Sequence, residues 1–478
     1  MIIKCARVVL SDENGHNYIG PAEIHIEQGR ITKLLSSDPK QPDNQTQVLG
    51  TSIEQKTRSV FHFSDDKLVS PAFVNPHTHL AMSFFRDISS AATQGPLIEN
   101  FFFKMEQNLS YEDVRAFARM GAYESLLFGV GFVWDHYYYG KAIAEACEET
   151  GVGAVVAPTI QDLHGPGVTS WERALEETFS IHEDSRWKRC GIHAAFGPHA
   201  SDSVSKDLWR KIVDYSAIHK IPIHSHLAQS ALEWQILKAR EKKSPLRFLE
   251  ELGALDRAHR LVLAHAIYID REDCRRLDPK KHTLIFCPYS QMSFDLPADV
   301  LMWEEEKLSW ALATDCVACH NSMNIQKELR LLSGLPMMQA SQSPAYKRFL
   351  RRQTGVKAIL RVREDLQKST AQFRDPNWLL QKVWQTPGSL HPGVKLGVIE
   401  EGAMANLIVW DLQHPSFWPS KDLDGLCYSD TTSGIHNVMT LGQWRGEFGR
   451  FQESLLESKA YQSARQEAQS RLKSLQRG

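Results

Sequence analysis

The stretch Leu68-Val69-Ser70-Pro71-Ala72-Phe73-Val74-Asn75-Pro76-His77-Thr78-His79 joins an apolar run to a pair of histidines. A short apolar run without helical periodicity is typical of a strand that is buried on both faces. Alternate side chains of an extended chain point the same way, so the imidazoles of His77 and His79 are expected to share one side. The stretch therefore predicts a buried strand whose C-terminal end carries two histidines.

Similar apolar runs recur along the chain, separated by amphipathic stretches such as Tyr111–Phe128 and Leu232–Glu251. Strands that alternate with helices predict an α/β fold with a parallel sheet. Because eight runs can be counted, we predict a closed (β/α)8 barrel of the TIM type; fewer runs would favour an open doubly wound sheet. The runs are Leu68–Asn75, Gly129–Asp135, Gly153–Ala157, Gly191–Phe196, Ile221–His226, Arg260–His265, Thr283–Pro288 and Leu308–Asp315.

Both ends of the chain contain short strand-like segments with too little apolar content to form a core alone. They are Ile2–Leu10, Glu23–Ile26, Val60–Phe63, Gly397–Leu412 and Ile435–Gly446. We predict that they combine into a small β-sandwich built from both chain ends. The predicted organisation is residues 1–67 and 396–450 for the two parts of the sandwich, 68–395 for the barrel, and 451–478 for a terminal helix.

Composition excludes several classes of protein. The chain has 55 Lys and Arg against 57 Asp and Glu, so bulk charge does not favour nucleic-acid binding. A hydrophobic fraction of 42%, with 12 Trp and 21 Phe, excludes a disordered chain. No apolar run approaches the roughly 20 residues of a membrane helix. The N-terminus reads as a strand, and eight scattered cysteines do not make a disulfide framework. We expect a cytoplasmic protein that binds a small molecule and neither nucleic acid nor membrane.

Histidine or aspartate stands at the end of four predicted barrel strands. The residues are His77 and His79, His224 and His226, His265, and Asp315. Each alone has an ordinary explanation: His265 could be a core histidine, and Asp315 could cap a helix. Barrel enzymes, however, place their reactive groups at the C-terminal ends of strands, and imidazoles with a carboxylate suit Zn²⁺ or a similar divalent metal. The agreement at four strand ends favours a metal site.

Cys316-Val317-Ala318-Cys319-His320 matches the C-x-x-C-H pattern of covalent haem attachment. That function requires an exported chain, and the sequence has no export signal. The motif also directly follows Asp315, where the metal site needs a ligand. We reject haem in favour of a thiol pair near the metal, or of cysteines that only pack.

Taken together, these segments resemble the amidohydrolase superfamily, and within it the group of S-adenosylhomocysteine and guanine deaminases and atrazine chlorohydrolase. The first strand with its two histidines resembles the opening strand of that group. The resemblance covers most of residues 1–446, in order. After the first strand it runs through Phe196–His199, Ile223–Ala228, Leu263–His265, Thr314–Asp315, Asn321–Asn324 and Gly397–Asp411.

This resemblance implies one Zn²⁺ or Fe²⁺ ion, and it implies a role for each site residue. The metal ligands would be His77, His79, His226 and Asp315. His224 could replace His226 as a ligand, but the family pattern favours His226. The catalytic residues would be Asp315 as proton carrier, His265 as the group that orients the attacking water, and position 229. His199 and Glu106 would bind substrate. The resemblance also suggests a homodimer.

Three positions depart from the family pattern. Gln229 stands where the deaminases carry a glutamate, Phe286-Cys287-Pro288 replaces the usual His-Asn-Pro, and Cys316 replaces a glycine after Asp315. The substitution at 229 matters most, because an amide can form hydrogen bonds but cannot transfer a proton at a useful pKa. It leaves the general acid unassigned.

The resulting hypothesis is a metal-dependent hydrolase of the deaminase or amidohydrolase type. It would cleave a non-peptide C–N bond of a heterocyclic amine or cyclic amide by means of a metal-activated water. One alternative is a dehalogenase-like hydrolase, because chloride leaves without protonation. The other is a protein that keeps its metal and has lost turnover.

Overall fold

The computed structural model describes residues 1–36, 59–87, 98–420 and 422–476. The strands in these ranges are β1 (Ile2–Ser11), β2 (Asn17–Glu27), β3 (Arg30–Ser36), β4 (Val60–Phe63), β5 (Lys67–Pro71), β6 (Phe73–Thr78), β7 (Val130–Tyr137), β8 (Gly153–Ile160), β9 (Ile192–Ala194), β10 (Gly197–Pro198), β11 (Ile223–Leu227), β12 (Leu261–His265), β13 (His282–Phe286), β14 (Ser309–Leu312), β15 (Leu407–Asp411), β16 (Ile435–Thr440) and β17 (Gln443–Arg445).

The α-helices in the same ranges are α1 (Phe103–Glu106), α2 (Tyr111–Leu127), α3 (Gly140–Thr150), α4 (Trp171–Glu183), α5 (Ser185–Arg189), α6 (Lys206–His219), α7 (Ala231–Glu241), α8 (Pro245–Glu251), α9 (Ala254–Arg257), α10 (Arg271–Cys274), α11 (Pro288–Phe294), α12 (Val300–Glu305), α13 (Val317–His320), α14 (Ile325–Ser341), α15 (Pro344–Leu350), α16 (Val356–Ser369), α17 (Pro376–Gln381), α18 (Gln385–Gly388), α19 (Leu423–Tyr428), α20 (Phe451–Glu457) and α21 (Lys459–Leu475). None of the helices in the described ranges combines the length and the apolarity that a membrane span requires.

Two parallel sheets make the barrel. One has the order β10-β8-β7-β6, with β9 also paired to β8, and the other has the order β11-β12-β13-β14. The two sheets are joined along both edges by backbone hydrogen bonds. On one side the Asp315 amide donates to the His77 carbonyl at 3.1 Å, and on the other the His224 amide donates to the Phe196 carbonyl at 2.9 Å. The predicted TIM-barrel type of α/β fold is present, with β9 and β10 together as its fourth strand.

Five barrel strands are buried along their whole length: β7, β8, β11, β12 and β13. This burial on both faces explains why the sequence shows continuous apolar runs there instead of alternation. Inside the barrel, side chains such as Trp134, Val262 and Ile285 pack with Leu390 and Leu396 from the segment that follows α18. The interior is therefore a filled core, and open space is left near the C-terminal ends of the strands.

Both ends of the chain join in a second sheet, here called the end sheet. Its order is β17-β16-β15-β5-β1-β2-β3, with β4 paired in parallel to β1. Residues such as Ile3, Ile24, Val69 and Leu407 form a core of their own. Pairing connects all these strands into one sheet, so the predicted two-layer β-sandwich is not confirmed, although strands from both chain ends do combine.

One predicted strand proved to be two. The run Leu68–Asn75 divides at Ala72: β5 pairs with β1 and β15 in the end sheet, and β6 pairs with β7 in the barrel. Both halves are buried, so the apolar run continues across the change of sheet and hides it from the sequence. The C-terminal helical segment also divides, at Ser458, whose side chain accepts a hydrogen bond from the Tyr461 amide at the start of α21.

Candidate metal centre and active site

Four predicted ligands converge at the C-terminal end of the barrel. His77 lies in β6, His79 directly follows that strand and His226 lies in β11, and one ring nitrogen of each lies within 4.8 Å of the other two. The Asp315 Oδ1 atom is 3.6 Å from His77 Nε2 and 3.3 Å from His79 Nε2. His265, at the end of β12, places Nε2 3.9 Å from the other carboxylate oxygen of Asp315. All five side chains are buried. The structure thus brings together groups that are up to 238 residues apart in sequence, from His77 to Asp315.

Hydrogen bonds fix which nitrogen of each imidazole faces this centre. His79 Nδ1 donates to the His136 carbonyl, and His226 Nδ1 donates to the His199 carbonyl at 2.9 Å. His77 Nδ1 is hydrogen-bonded to His224 Nε2 at 2.9 Å. Engagement of Nδ1 outside the site leaves Nε2 free to coordinate, which is the usual arrangement of metal-binding histidines. His77 Nε2 is buried and has no hydrogen-bond partner among the described residues.

The electrostatics of the centre also suit a divalent cation. Burial lowers the pKa of His77 and of His226 well below 6.5, so both rings are neutral and offer a lone pair. Burial alone would raise the pKa of Asp315, but hydrogen bonds from His79 and Ser290 and the charge of His79 lower it to about 2. Burial opposes protonation of His79, but its hydrogen bond to Asp315 and the charge of that carboxylate raise its pKa to about 9, so a metal ion bound there would displace a proton. Neutral imidazoles with an ionised carboxylate are typical ligands of zinc. The residues present therefore fit a metal ion.

His224 and His226 both point into the barrel, as the alternation along β11 predicts, but they lie at different depths. Two residues along a strand correspond to roughly 6.6 Å. His224 contacts the outer nitrogen of His77 and supports that ring from below the centre. The geometry therefore favours His226 over His224 as a ligand.

The backbone turns sharply where two site residues leave their strands. His265 has φ of 74° and Asp315 has φ of 60°, both in the left-handed region that ordinary residues rarely adopt. Such conformations persist only where the surroundings enforce them, and they concentrate at functional sites. The Asp315 amide bond to His77 and the bond from Thr78 Oγ1 to the Asp315 carbonyl, at 3.0 Å, hold this turn in place.

A cavity of about 610 Å³, including its opening to solvent, lies above the centre. Phe102, Phe103, Tyr137, Tyr138 and Phe294 give it aromatic walls. Every residue predicted to act on substrate lines it: Glu106, His199, Gln229, His265 and Asp315. The flat aromatic faces suit a heterocyclic ring.

Sequence reasoning missed Glu233, which supports the residue at position 229. Glu233 lies in the first turn of α7, and its carboxylate accepts hydrogen bonds from the backbone N–H of Gln229 at 2.8 Å and from the Ser201 hydroxyl. Burial, together with the charge of Asp202, raises the pKa of Glu233 to about 8. A glutamate in a helical pattern is normally a surface residue, so the sequence offered no signal for this role.

Two other contacts were also missed. Ser290, in α11, donates a hydrogen bond to Asp315 Oδ2. His136 supplies the carbonyl that fixes His79. His136 lies near the C-terminal end of β7, so the same rule that selected the other strand ends could have found it. Ser290 stands in a segment that departs from the family pattern, and no spacing indicated it.

Glu106 gives a prediction about pH. Burial raises the pKa of Glu106 from 4.5 to about 7, so the folded protein retains a proton that the unfolded chain has lost between these values. Folding stability should therefore fall as pH rises through this window. Glu106→Gln removes this pH dependence. When the pH is raised from 5 to 8, the free energy of unfolding of wild type should therefore fall by about 3 kcal/mol more than that of Glu106→Gln.

Urea titrations of both metal-free proteins at the two pH values measure this difference. The matched control is Glu112→Gln, which changes an exposed glutamate of α2 and should leave the pH dependence of wild type unaltered. Parallel pH profiles for wild type and Glu106→Gln would contradict the burial of an ionisable carboxyl at this position.

A parallel barrel with imidazoles and a carboxylate at its C-terminal end defines a class, the barrel metalloenzymes. Comparison with known proteins makes the assignment narrower. A family profile described as Amidohydrolase family matches residues 68–351, which is more than half of the chain. The chain therefore belongs to the amidohydrolase family, as the sequence resemblance indicated, and it is a hydrolase that acts on carbon–nitrogen bonds other than peptide bonds.

Several curated relatives are similar along most of their length. The chain is 26% identical over 407 residues to 5-methylthioadenosine/S-adenosylhomocysteine deaminase 1 of Archaeoglobus fulgidus, which covers 84% of this chain and 88% of the relative. It is 23% identical over 380 residues to the 5'-deoxyadenosine deaminase of Methanopyrus kandleri, and this alignment covers 79% of this chain and 80% of the relative.

Solved structures share the fold. An adenosine deaminase from Xanthomonas campestris with bound zinc has a TM-score of 0.75 at 19% identity and covers 99% of this chain and 98% of its own. Atrazine chlorohydrolase TrzN from Arthrobacter aurescens TC1, complexed with zinc, has a TM-score of 0.72 at 18% identity and covers 98% of this chain and 99% of its own.

Proposed function

We propose that the protein releases ammonia or an amine from a heterocyclic small molecule by hydrolysis at one divalent metal ion. The ligands in this proposal are His77, His79, His226 and Asp315. The observation that carries it is a buried centre, open to an aromatic cavity, in which His79 Nε2 lies 3.4 Å from His226 Nε2 and Asp315 Oδ1 lies 3.3 Å from His79 Nε2 and 3.6 Å from His77 Nε2. When bound there, a divalent metal lowers the pKa of water to about 7.

Zinc is the metal we propose, with iron(II) as the alternative. Nitrogen and oxygen ligands in a four-residue set suit zinc, and zinc is bound in two of the structurally similar proteins. The homodimer and the cytoplasmic location that the sequence suggested stay predictions.

The protein's own residues divide the remaining work. Asp315 is ionised, so it can accept a proton from the attacking water and pass it to the leaving group. Burial lowers the pKa of His265 to about 4, so its ring is neutral and can hold the water by a hydrogen bond. His199 and Glu106 face the same cavity and are placed to contact the substrate.

Gln229 narrows the class of substrate. Its side chain lines the cavity beside the centre, and the amide can donate a hydrogen bond to a ring carbonyl oxygen but cannot protonate a ring nitrogen. We therefore propose a heterocyclic amine that also bears a carbonyl, or a cyclic amide, as the natural substrate. Simple adenosine derivatives are the substrates that appear in the names of the related deaminases. They should react slowly with this protein.

A hydrolysis screen tests the proposed function. Zinc-loaded protein is incubated with oxo-substituted aminoheterocycles, cyclic amides, 5'-methylthioadenosine and S-adenosylhomocysteine, and ammonia or ring opening is measured. We expect turnover of a member of the first two groups and its loss in metal-free protein, with recovery on adding zinc. Absence of hydrolysis across the panel by protein that retains its metal would favour the hypothesis of lost turnover.

His265→Asn separates the orientation of water from metal binding. Because His265 is proposed to hold the water and not the metal, the variant should lose about 100-fold in kcat and keep its metal. Elemental analysis and kcat are measured on the same sample. His62→Asn, an exposed histidine of β4, is the control and should match wild type. A His265→Asn protein without metal would make His265 a ligand and overturn this part of the account.

Hydrolytic dehalogenation is the second candidate, and Gln229 is the observation that favours it. A halide leaves as an anion and needs no proton, so an amide at position 229 would not impair that reaction. Adding a chlorotriazine to the panel and measuring chloride distinguishes the two candidates.

A further inference from the structure

Two thiols lie beside the carboxylate of the proposed metal centre. Cys316 and Cys319 both line the active-site cavity, Cys316 buried and Cys319 half-buried. Their sulfur atoms and a carboxylate oxygen of Asp315 all lie within 4.8 Å of one another. The function proposed above uses Asp315 and leaves both thiols unassigned.

The local backbone explains why the thiols meet. Asp315 turns the chain out of the barrel, and α13 begins directly after Cys316. The Cys319 amide donates to the Cys316 carbonyl at 3.3 Å, so the two residues are separated by one helical turn. Residues three apart share a helix face, so the two thiols lie on the same side of α13. Neither forms a disulfide, since all eight cysteines are free.

We propose that Asp315, Cys316 and Cys319 form a second metal site, specific for a thiophilic divalent cation such as Zn²⁺ in excess or Cd²⁺, which shares Asp315 with the histidine site. Bond lengths of about 2.3 Å to sulfur and about 2.0–2.2 Å to oxygen put ligands of one tetrahedral ion about 3.5–4 Å apart. Closing from 4.8 Å to that separation requires only a side-chain adjustment. Each thiol releases one proton on binding, so the affinity should rise with pH.

Sharing is compatible with the chemistry of Asp315. A carboxylate has about four lone-pair positions, so its two oxygens can serve two cations. The position of both thiols in the cavity wall means that an ion bound there occupies space in front of Asp315. A second equivalent of metal should therefore inhibit the hydrolase, whereas the first equivalent activates it; this consequence rests on the proposed function.

Cadmium titration tests the site without relying on turnover. Full-length protein with reduced thiols and one equivalent of zinc is titrated with Cd²⁺, while sulfur-to-cadmium charge-transfer absorption and zinc release are recorded. We expect one cadmium per chain to bind with this absorption and without release of zinc. Cys316→Ser and Cys319→Ser should each bind cadmium at least about 100-fold more weakly. Cys190→Ser, a half-buried thiol outside the cavity, is the matched control and should behave as wild type.

Protection from alkylation provides a second measurement on the unaltered chain. Bound cadmium should shield Cys319 from an alkylating reagent and leave Cys190 reactive, as mapped by mass spectrometry. The proposal is wrong if no charge-transfer absorption appears, if it survives in both cavity variants, or if cadmium binds only by displacing zinc. Failure of the hydrolysis screen alone would leave these readouts intact, so the two proposals can fail separately.

Discussion

Asp315→Asn is expected to lower kcat by about 10⁴-fold, at the upper limit for loss of an acid–base group. The substitution keeps the shape of the side chain but removes the negative charge that faces His77 and His79 at 3.6 and 3.3 Å. It also removes the group that can carry the proton from water to the leaving group. Both effects act on the same reaction, so we expect the largest loss at this position.

Metal content and kcat of Asp315→Asn should be measured on one preparation, alongside a spectrum that reports the fold. Residues at the C-terminal end of a barrel serve chemistry more than stability, so the variant should fold. Asp207→Asn, an exposed carboxylate at the start of α6, is the control and should retain full activity. Full metal occupancy with unchanged turnover in Asp315→Asn would disprove its assignment.

Gln229→Glu is expected to raise the deamination of adenosine derivatives by about 10²-fold or more, because a proton shuttle typically contributes 10²–10⁴-fold. Glutamate is nearly isosteric with glutamine and would enter the same position, where the backbone is held by Glu233. The natural reaction should fall at the same time, because the amide that donates to the ring carbonyl is lost.

Gln229→Met is the matched variant, since it keeps the length of the side chain and has neither amide nor carboxylate. It should impair the natural reaction without creating adenosine deamination. Rates of ammonia release from 5'-methylthioadenosine and from the best substrate of the screen are compared for the three proteins. Wild-type deamination of 5'-methylthioadenosine at ordinary rates, with no gain in Gln229→Glu, would contradict the role given to Gln229.

The barrel and the meeting of its strand-end residues could be predicted because both depend on local patterns. Buried parallel strands give continuous apolar runs, and the C-terminal ends of such strands meet in space, so the strand order predicts that His77, His224, His226, His265 and Asp315 lie close together. The choice of His226 over His224 came from the family resemblance. The change of sheet at Ala72 could not be predicted, because β5 and β6 are both buried and the apolar run has no interruption.

Other features depend on contacts between distant segments, which no periodicity records. Glu233 looks like a surface residue of a helix until the Ser201 hydroxyl and the backbone N–H of Gln229 are placed against its carboxylate. The C-x-x-C motif was visible in the sequence, but its meaning depends on the turn at Asp315 that directs both thiols into the cavity. The sequence shows the spacing of the two cysteines, but only the fold shows that they lie beside the Asp315 carboxylate.

The central claim is that one divalent metal sits among His77, His79, His226 and Asp315. Anomalous diffraction from crystals of the protein, recorded on both sides of the zinc absorption edge, tests it most directly. We predict one strong peak within bonding distance of the three Nε2 atoms and the Asp315 carboxylate, at about 2.0–2.2 Å. A centre that holds only water in protein shown by elemental analysis to carry zinc, with the anomalous peak elsewhere, would contradict it.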